Sequence, residues 1–290
     1  MLNSASTILH KNFNTQEVRS LFGWCETYLS LVAQGASNST LEAKQRDLRL
    51  FINFVASVGF GDDVQKWTPS LSKAFKTEML NTYKPATVAR MIATLSHFAK
   101  WLNERIKLAA GNPMDGVKTI KLDEPAWNGL TKRDLLQLKG AVDIRLNACK
   151  RKDQNPLLEA AVFYLLLYSG LRESELINLN YGQYKDSQAL INVRRKGQRV
   201  SSKIAVPKDA TLYVDRYLIY EEREINAPLF TTRGGKRLNR MDVFNICKRI
   251  SQLTPDRIKL TPHMLRHTFL KRITDKHGIH IAQQLSGNVS

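Results

Sequence analysis

The sequence predicts a mainly α-helical protein with one small β-hairpin or sheet. It falls into an N-terminal helical part and a C-terminal α+β part. Three observations carry this reading. Apolar residues recur every three or four positions through the first hundred residues or so. The periodicity is lost over 111–129, GNPMDGVKTIKLDEPAWNG, which is rich in glycine and proline. Beyond it, helical stripes alternate with two short strand-like runs around RRKGQR. A chain of 290 residues suits two domains. The expected boundaries are 1–115, a linker at 116–129, and 130–290.

The elements follow in order. From Val18 a helix carries Leu21, Phe22, Cys25, Tyr28, Leu29 and Val32 on one face. Gly35–Ser39 reads as a loop, and Thr40 as the cap of a helix with Leu41, Leu48, Phe51, Ile52 and Val55 inward. Its other face holds Lys44, Arg46 and Arg49. A third helix is expected near 71–82. Pro85 sits where a first helical residue belongs, ahead of Val88, Met91, Ile92, Leu95, Phe98 and Leu102. Arg90, His97 and Lys100 lie opposite. In the second part, Thr131–Leu138 opens a helix with Asp134 in its first turn, and Leu157–Tyr168 reads as a buried helix ended by Gly170. Another starts at Arg172–Leu179. Leu190–Val193 and Val200–Val206 form the hairpin, and helices follow near 211–223, 239–251 and 262–276.

Charge narrows the partner. The chain has 44 Lys+Arg against 26 Asp+Glu, a net charge of +18, and both halves are basic. This suits a polyanion such as nucleic acid. The start of the chain lacks a signal-peptide pattern, and the longest apolar run, AAVFYLLLYSG, is too short to span a bilayer. No membrane partner is expected. Cys25, Cys149 and Cys247 are widely spaced, with no disulfide framework or zinc pattern, which fits the cytoplasm.

Four features carry possible chemistry: GLRESEL at 170–176, the hairpin tip Arg194-Arg195-Lys196-Gly197 with Arg199, HMLRH at 263–267, and the stretch QQLSGNVS. Each has a structural reading on its own. Arg172 and Glu175 could be an i,i+3 surface pair. His263 and His267 have i,i+4 spacing, but Met264 stands where a metalloprotease has glutamate, so no metal is expected. The basic hairpin could be a charged sheet edge.

Together and in this order they resemble the tyrosine recombinase (phage integrase) family, of the simple two-domain type. The segment YKPATVARMIATLSHFAKWL and the following NPMDGVK resemble its helical core-binding domain. The resemblance implies catalytic roles for Arg172, Glu175, Lys196, His263, Arg266 and Asn288, the last as a hydrogen-bond donor to a phosphate oxygen, with Lys203 a less favoured substitute for Lys196. On the basic charge of the chain, Lys44, Arg46, Arg49, Arg90, Lys100, Arg194, Arg195 and Arg199 are the expected DNA contacts, with solvated surface charge as the alternative. Two guanidiniums suit metal-free transesterification, because they stay charged and fork onto phosphate oxygens. The implied reaction is strand cleavage and rejoining through a 3′-phosphotyrosine, with no cofactor. The implied partner is double-stranded DNA, held by a homo-tetramer through a Holliday junction.

The resemblance departs at two places. Asn288 stands where the family has His or Trp. The nucleophilic tyrosine is expected roughly nine positions after Asn288 by motif spacing, and all nine tyrosines of these 290 residues lie at or before Tyr220. Tyr164, Tyr168, Tyr213, Tyr217 and Tyr220 read as structural. The expectation is therefore a shortened form of an active recombinase that binds DNA without cutting it, with no separate arm-binding domain before Val18. The alternatives are a catalytically inactive, recombinase-like DNA-binding regulator and, less favoured, a type IB topoisomerase.

Overall fold

The computed structural model describes residues 20–123, 128–148, 155–185, 188–194, 202–219 and 223–286. The chain divides into two compact units, Met1–Pro125 and Ala126–Ser290.

The first unit is built from α1 (Leu21–Ala33), α2 (Asn38–Ser57), α3 (Pro69–Thr82) and α4 (Pro85–Asn103). Its core is aromatic. Phe51 meets Trp67 at 5.0 Å and Phe75 at 5.2 Å between ring centroids, and Trp67 stacks on Phe98 at 5.4 Å. Such ring pairs add to the area they bury. Trp67 also donates its Nε1–H to Ser72 Oγ at 2.8 Å. Val88, Met91, Ile92, Leu95, Phe98 and Leu102 of α4 are all buried, as their spacing predicts.

Three sequence expectations are corrected here. The cap of α2 is Ser37, not Thr40, and its Oγ accepts the Thr40 amide. The helix expected near 71–82 begins at Pro69, because Thr68 caps it. Phe22 is 54% exposed and lies off the core face of α1. The helix α1 begins at Leu21, with Ser20 as its cap, whereas Val18 lies outside the described residues. Val117 and Ile120, within the stretch read as linker, pack against this first core.

The second unit contains α5 (Lys132–Ala148), α6 (Pro156–Ser169), α7 (Glu173–Ile177), α8 (Lys208–Leu218), α9 (Arg240–Gln252), α10 (Pro262–His277) and α11 (Ile279–Ser286). The apolar helix α6 is central. Ten consecutive residues, Leu158–Leu167, are buried, and α5, α8, α9 and α10 pack around it. Thr131 and Asp134 cap α5 reciprocally, each side chain accepting the other's amide. The helix expected over 211–223 is α8, which starts and ends earlier.

A three-stranded antiparallel sheet joins β1 (Tyr184–Lys185), β2 (Ala189–Val193) and β3 (Ser202–Ala205) in that order. The hairpin strands match the sequence expectation over their described residues, with Val200 and Ser201 outside them; β1 adds an edge strand it did not include. Leu190 pairs with Ile204 and Val193 with Ser202, so β2 carries one extra residue. Asn192, at φ 52°, takes up this bulge. The hairpin tip, including Arg195, Lys196 and Arg199, lies outside the described residues. Among the described residues no helix is long and apolar enough to cross a membrane.

Candidate functional site

The candidate site grows from the end of α6. Its C-cap, Gly170, has φ 62°, a left-handed conformation that glycine reaches without strain. A β-carbon there would lie 2.6 Å from Phe269 Cε1 of α10 and closer still to Cδ1. The chain then turns through Leu171 into α7, with Arg172 as the N-cap.

Glu175 in the first turn of α7 fixes Arg172 twice. Its Oε2 accepts the Arg172 amide at 2.9 Å, and its Oε1 accepts from Nη1 at 2.8 Å. A carboxylate also suits the positive end of a helix. The Glu175 side chain is 4% exposed and that of Arg172 is 24% exposed. The arginine is therefore anchored from below and reachable from solvent.

Arg266 comes from α10, whose start is set by Thr261 and Pro262. Its side chain is buried. Nη1 donates to the Gly170 carbonyl, and Nη2 donates to the Ser286 carbonyl at 2.6 Å. One guanidinium thus gathers the end of α6, the start of α10 and the end of α11. These are the places of GLRESEL, HMLRH and QQLSGNVS in the sequence.

His263 lies on the exposed first turn of α10, one turn before His267. The two Nε2 atoms stand 2.7 Å apart. Partial burial, with His267 and Arg266 nearby, holds the His263 pKa below its usual value. A neutral imidazole can donate to or accept from a phosphate oxygen or an alcohol. Among the described residues no cluster of three or more metal-ligating side chains exists.

Lys196, Arg195, Arg199 and Asn288 lie outside the described residues. Arg194 is exposed just after β2, and Lys203 is exposed on β3. In the first unit Arg46, Arg49 and Lys100 are exposed. Lys44 donates to the Tyr28 hydroxyl at 2.9 Å. Arg90 donates to Asp47 Oδ2 at 2.5 Å, and Thr94 donates to the same oxygen at 2.9 Å. Arg90 and Lys44 therefore also brace α2, besides whatever they offer a ligand.

The tyrosines of the second unit have structural surroundings. Tyr164 is buried and stacks on Tyr213 at 4.3 Å, and Tyr217 hydrogen-bonds Arg223 at 2.9 Å. Tyr220 lies outside the described residues.

Sequence reading missed several supports. Glu159 is buried inside α6 and accepts from Arg145 at 2.7 and 2.8 Å and from Arg249 at 2.7 Å. Arg237 donates to the carbonyls of Ile177 and Leu179 at 2.8 and 3.0 Å, closing the C-terminal end of α7. The helix α11 was not foreseen. A glutamate within an apolar run was the one available signal for the first of these.

Residues 137–290 match the phage integrase family, and residues 26–105 match the phage integrase N-terminal SAM-like domain. The chain is 28% identical over 269 residues to the tyrosine recombinase XerC of Thermodesulfovibrio yellowstonii, covering 89% of this chain and 84% of that one. It is 27% identical to XerS of Streptococcus thermophilus, covering 93% and 90%. The fold resembles the Tn1549 transposon integrase in complex with a circular intermediate DNA, with a TM-score of 0.71 at 16% identity, covering 94% of this chain and 92% of that one. It also resembles lambda integrase as a tetramer bound to a Holliday junction, with a TM-score of 0.68 at 17% identity, covering 99% and 85%. With matches spanning both units and recombinases on every side of the comparison, the chain belongs to the phage integrase family of tyrosine recombinases.

Proposed function

We propose that this protein is a site-specific DNA recombinase that cuts and rejoins strands through a 3′-phosphotyrosyl intermediate, without metal. The observation that carries the reading is the convergence on Arg266. Its donors hold the carbonyl two residues before Arg172 and the carbonyl two residues before Asn288. Three motifs far apart in the chain are thereby tied to one centre.

In this reading Arg172 and Arg266 neutralise the nonbridging oxygens of a phosphodiester, where charge builds in the transition state. Glu175 positions Arg172 and does not react. His263 donates to a phosphate oxygen or assists proton transfer. Lys196 protonates the leaving 5′-oxygen. The attacking tyrosine is expected roughly nine positions beyond Asn288 by motif spacing. A polypeptide of residues 1–290 would hold the phosphate and leave it uncut. The first unit adds phosphate contacts through Arg46, Arg49 and Lys100, with Lys44 and Arg90 presented from braced positions. The active assembly is a homo-tetramer on two DNA sites; lambda integrase has been seen as a tetramer bound to a Holliday junction.

The test is binding to duplex DNA across a salt series. The log of affinity should fall with log salt at a slope of about −0.9 per phosphate contacted. A flat response would remove the DNA reading. The second reading, a catalytically inactive DNA-binding regulator, draws on Asn288, an uncharged side chain where the family has His or Trp. Covalent adduct formation by a polypeptide that continues past residue 290 separates the two.

A further inference from the structure

His263 and His267 sit one turn apart on α10, with Nε2 atoms 2.7 Å from each other and rings crossing at 71°. His263 is exposed and His267 half-buried, so solvent reaches the pair. At this distance one ring donates its Nε2–H and the other accepts it. A divalent cation with metal–nitrogen bonds of about 2.0–2.1 Å places two nitrogens about 2.9 Å apart at 90° and about 3.4 Å apart at the tetrahedral angle. The observed spacing is near the first and well short of the second.

We propose that His263 and His267 form a two-point chelate for a late first-row divalent cation, copper(II) first, then nickel(II), ahead of zinc(II). Copper(II) and nickel(II) favour tetragonal geometry with 90° pairs, and copper(II) heads the affinity order for nitrogen ligands. The cation sits beside the line between the two nitrogens, both rings turn toward it, and the shared hydrogen leaves. That proton moves through solvent to Nδ1 of the same ring, both imidazoles stay neutral, and both Nε2 lone pairs go to the metal. No electron is transferred. Among the described residues no third His, Cys, Asp or Glu joins the pair. The other coordination positions therefore fall to water or a small anion. This site differs from a metalloprotease centre, which needs the glutamate that Met264 replaces. It stands on the geometry of α10 and does not depend on the recombinase reading.

The test is a titration of copper(II) into the 290-residue chain, followed by calorimetry and electron paramagnetic resonance. The expected result is one copper(II) per chain, with hyperfine structure from two imidazole nitrogens. His263→Asn and His267→Asn should each lose that site. A His277→Asn/His280→Asn double variant should retain it. Should His267→Asn fail to fold, the exposed His263→Asn alone carries the comparison. Copper binding that survives His263→Asn, or that disappears in the His277/His280 variant, would overturn the assignment. So would the lack of a stoichiometric site, or tighter binding of zinc(II) than copper(II).

Discussion

Gly170→Ala should destabilise the second unit by about 2–5 kcal/mol, and the figure has two separable parts. The φ of 62° places residue 170 in the left-handed region, where an L side chain costs about 1–2 kcal/mol. The new β-carbon would also press on the Phe269 ring, and overpacking of this kind costs about 1–3 kcal/mol. The ring belongs to the helix that carries His263 and Arg266, so relief by moving α10 would disturb the Gly170–Arg266 hydrogen bond. The assay is urea denaturation of the full chain, followed by far-UV circular dichroism and by hydrogen exchange in α6 and α10. A double-mutant cycle with Phe269→Ala isolates the contact part as coupling between the two sites. The conformational part should remain when the ring is gone. A Gly170→Ala protein with unchanged midpoint and unchanged exchange in α10 would refute the argument. Additivity with Phe269→Ala would refute the steric half alone.

Three more outcomes are expected. Glu159→Ala should cost about 3–5 kcal/mol, because it takes away the buried carboxylate that Arg145 and Arg249 share, whereas replacing all three by apolar residues of similar volume should cost far less; equal midpoints for the two proteins in urea would count against an ionic role. In a Cys149→Ser background, Cys25 and Cys247 should not react with a thiol reagent at pH 8 until the protein unfolds; burial raises both pKa values, that of Cys247 to about 12, and rapid labelling of the folded chain would contradict this. Arg172→Ala in a tyrosine-bearing chain should slow cleavage far more than it weakens DNA binding, since the contact matters most in the transition state; equal losses in single-turnover rate and affinity would reduce Arg172 to an ordinary binding residue.

The helices were legible where one face alone decides burial. In α4 the six apolar positions expected from a spacing of three and four are buried, with Thr94 and Ala99 added between them, and Pro85 marks the start. Phe22 was misplaced because it adjoins Leu21, and a stripe read from sequence is wider than the face that packs. By sequence Thr40 reads as the cap of α2, after a stretch read as loop that also holds Ser37 and Ser39. Ser37 prevails, with its hydroxyl within hydrogen-bonding distance of both other hydroxyls as well as the Thr40 amide. A strand of two residues and a helix of eight, β1 and α11, are too short to show a period. At the site, residue types were readable because arginine, histidine and glutamate recur in a recognisable order. Their supports were not. Arg145 and Arg249 lie 14 residues before and 90 residues after Glu159. The acceptors for Arg266 are main-chain carbonyls, which leave no mark in a sequence.

In the proposed function the centre around Arg172 and Arg266 serves phosphotyrosyl chemistry without metal. The most direct measurement is trapping of a covalent protein–DNA adduct on nicked site DNA in EDTA, using a polypeptide that continues through the tyrosine expected beyond Asn288. The expected product is a 3′-phosphotyrosyl adduct that survives EDTA and is lost in Arg266→Ala while α10 keeps its exchange protection. No adduct, or cleavage that requires magnesium, would contradict it.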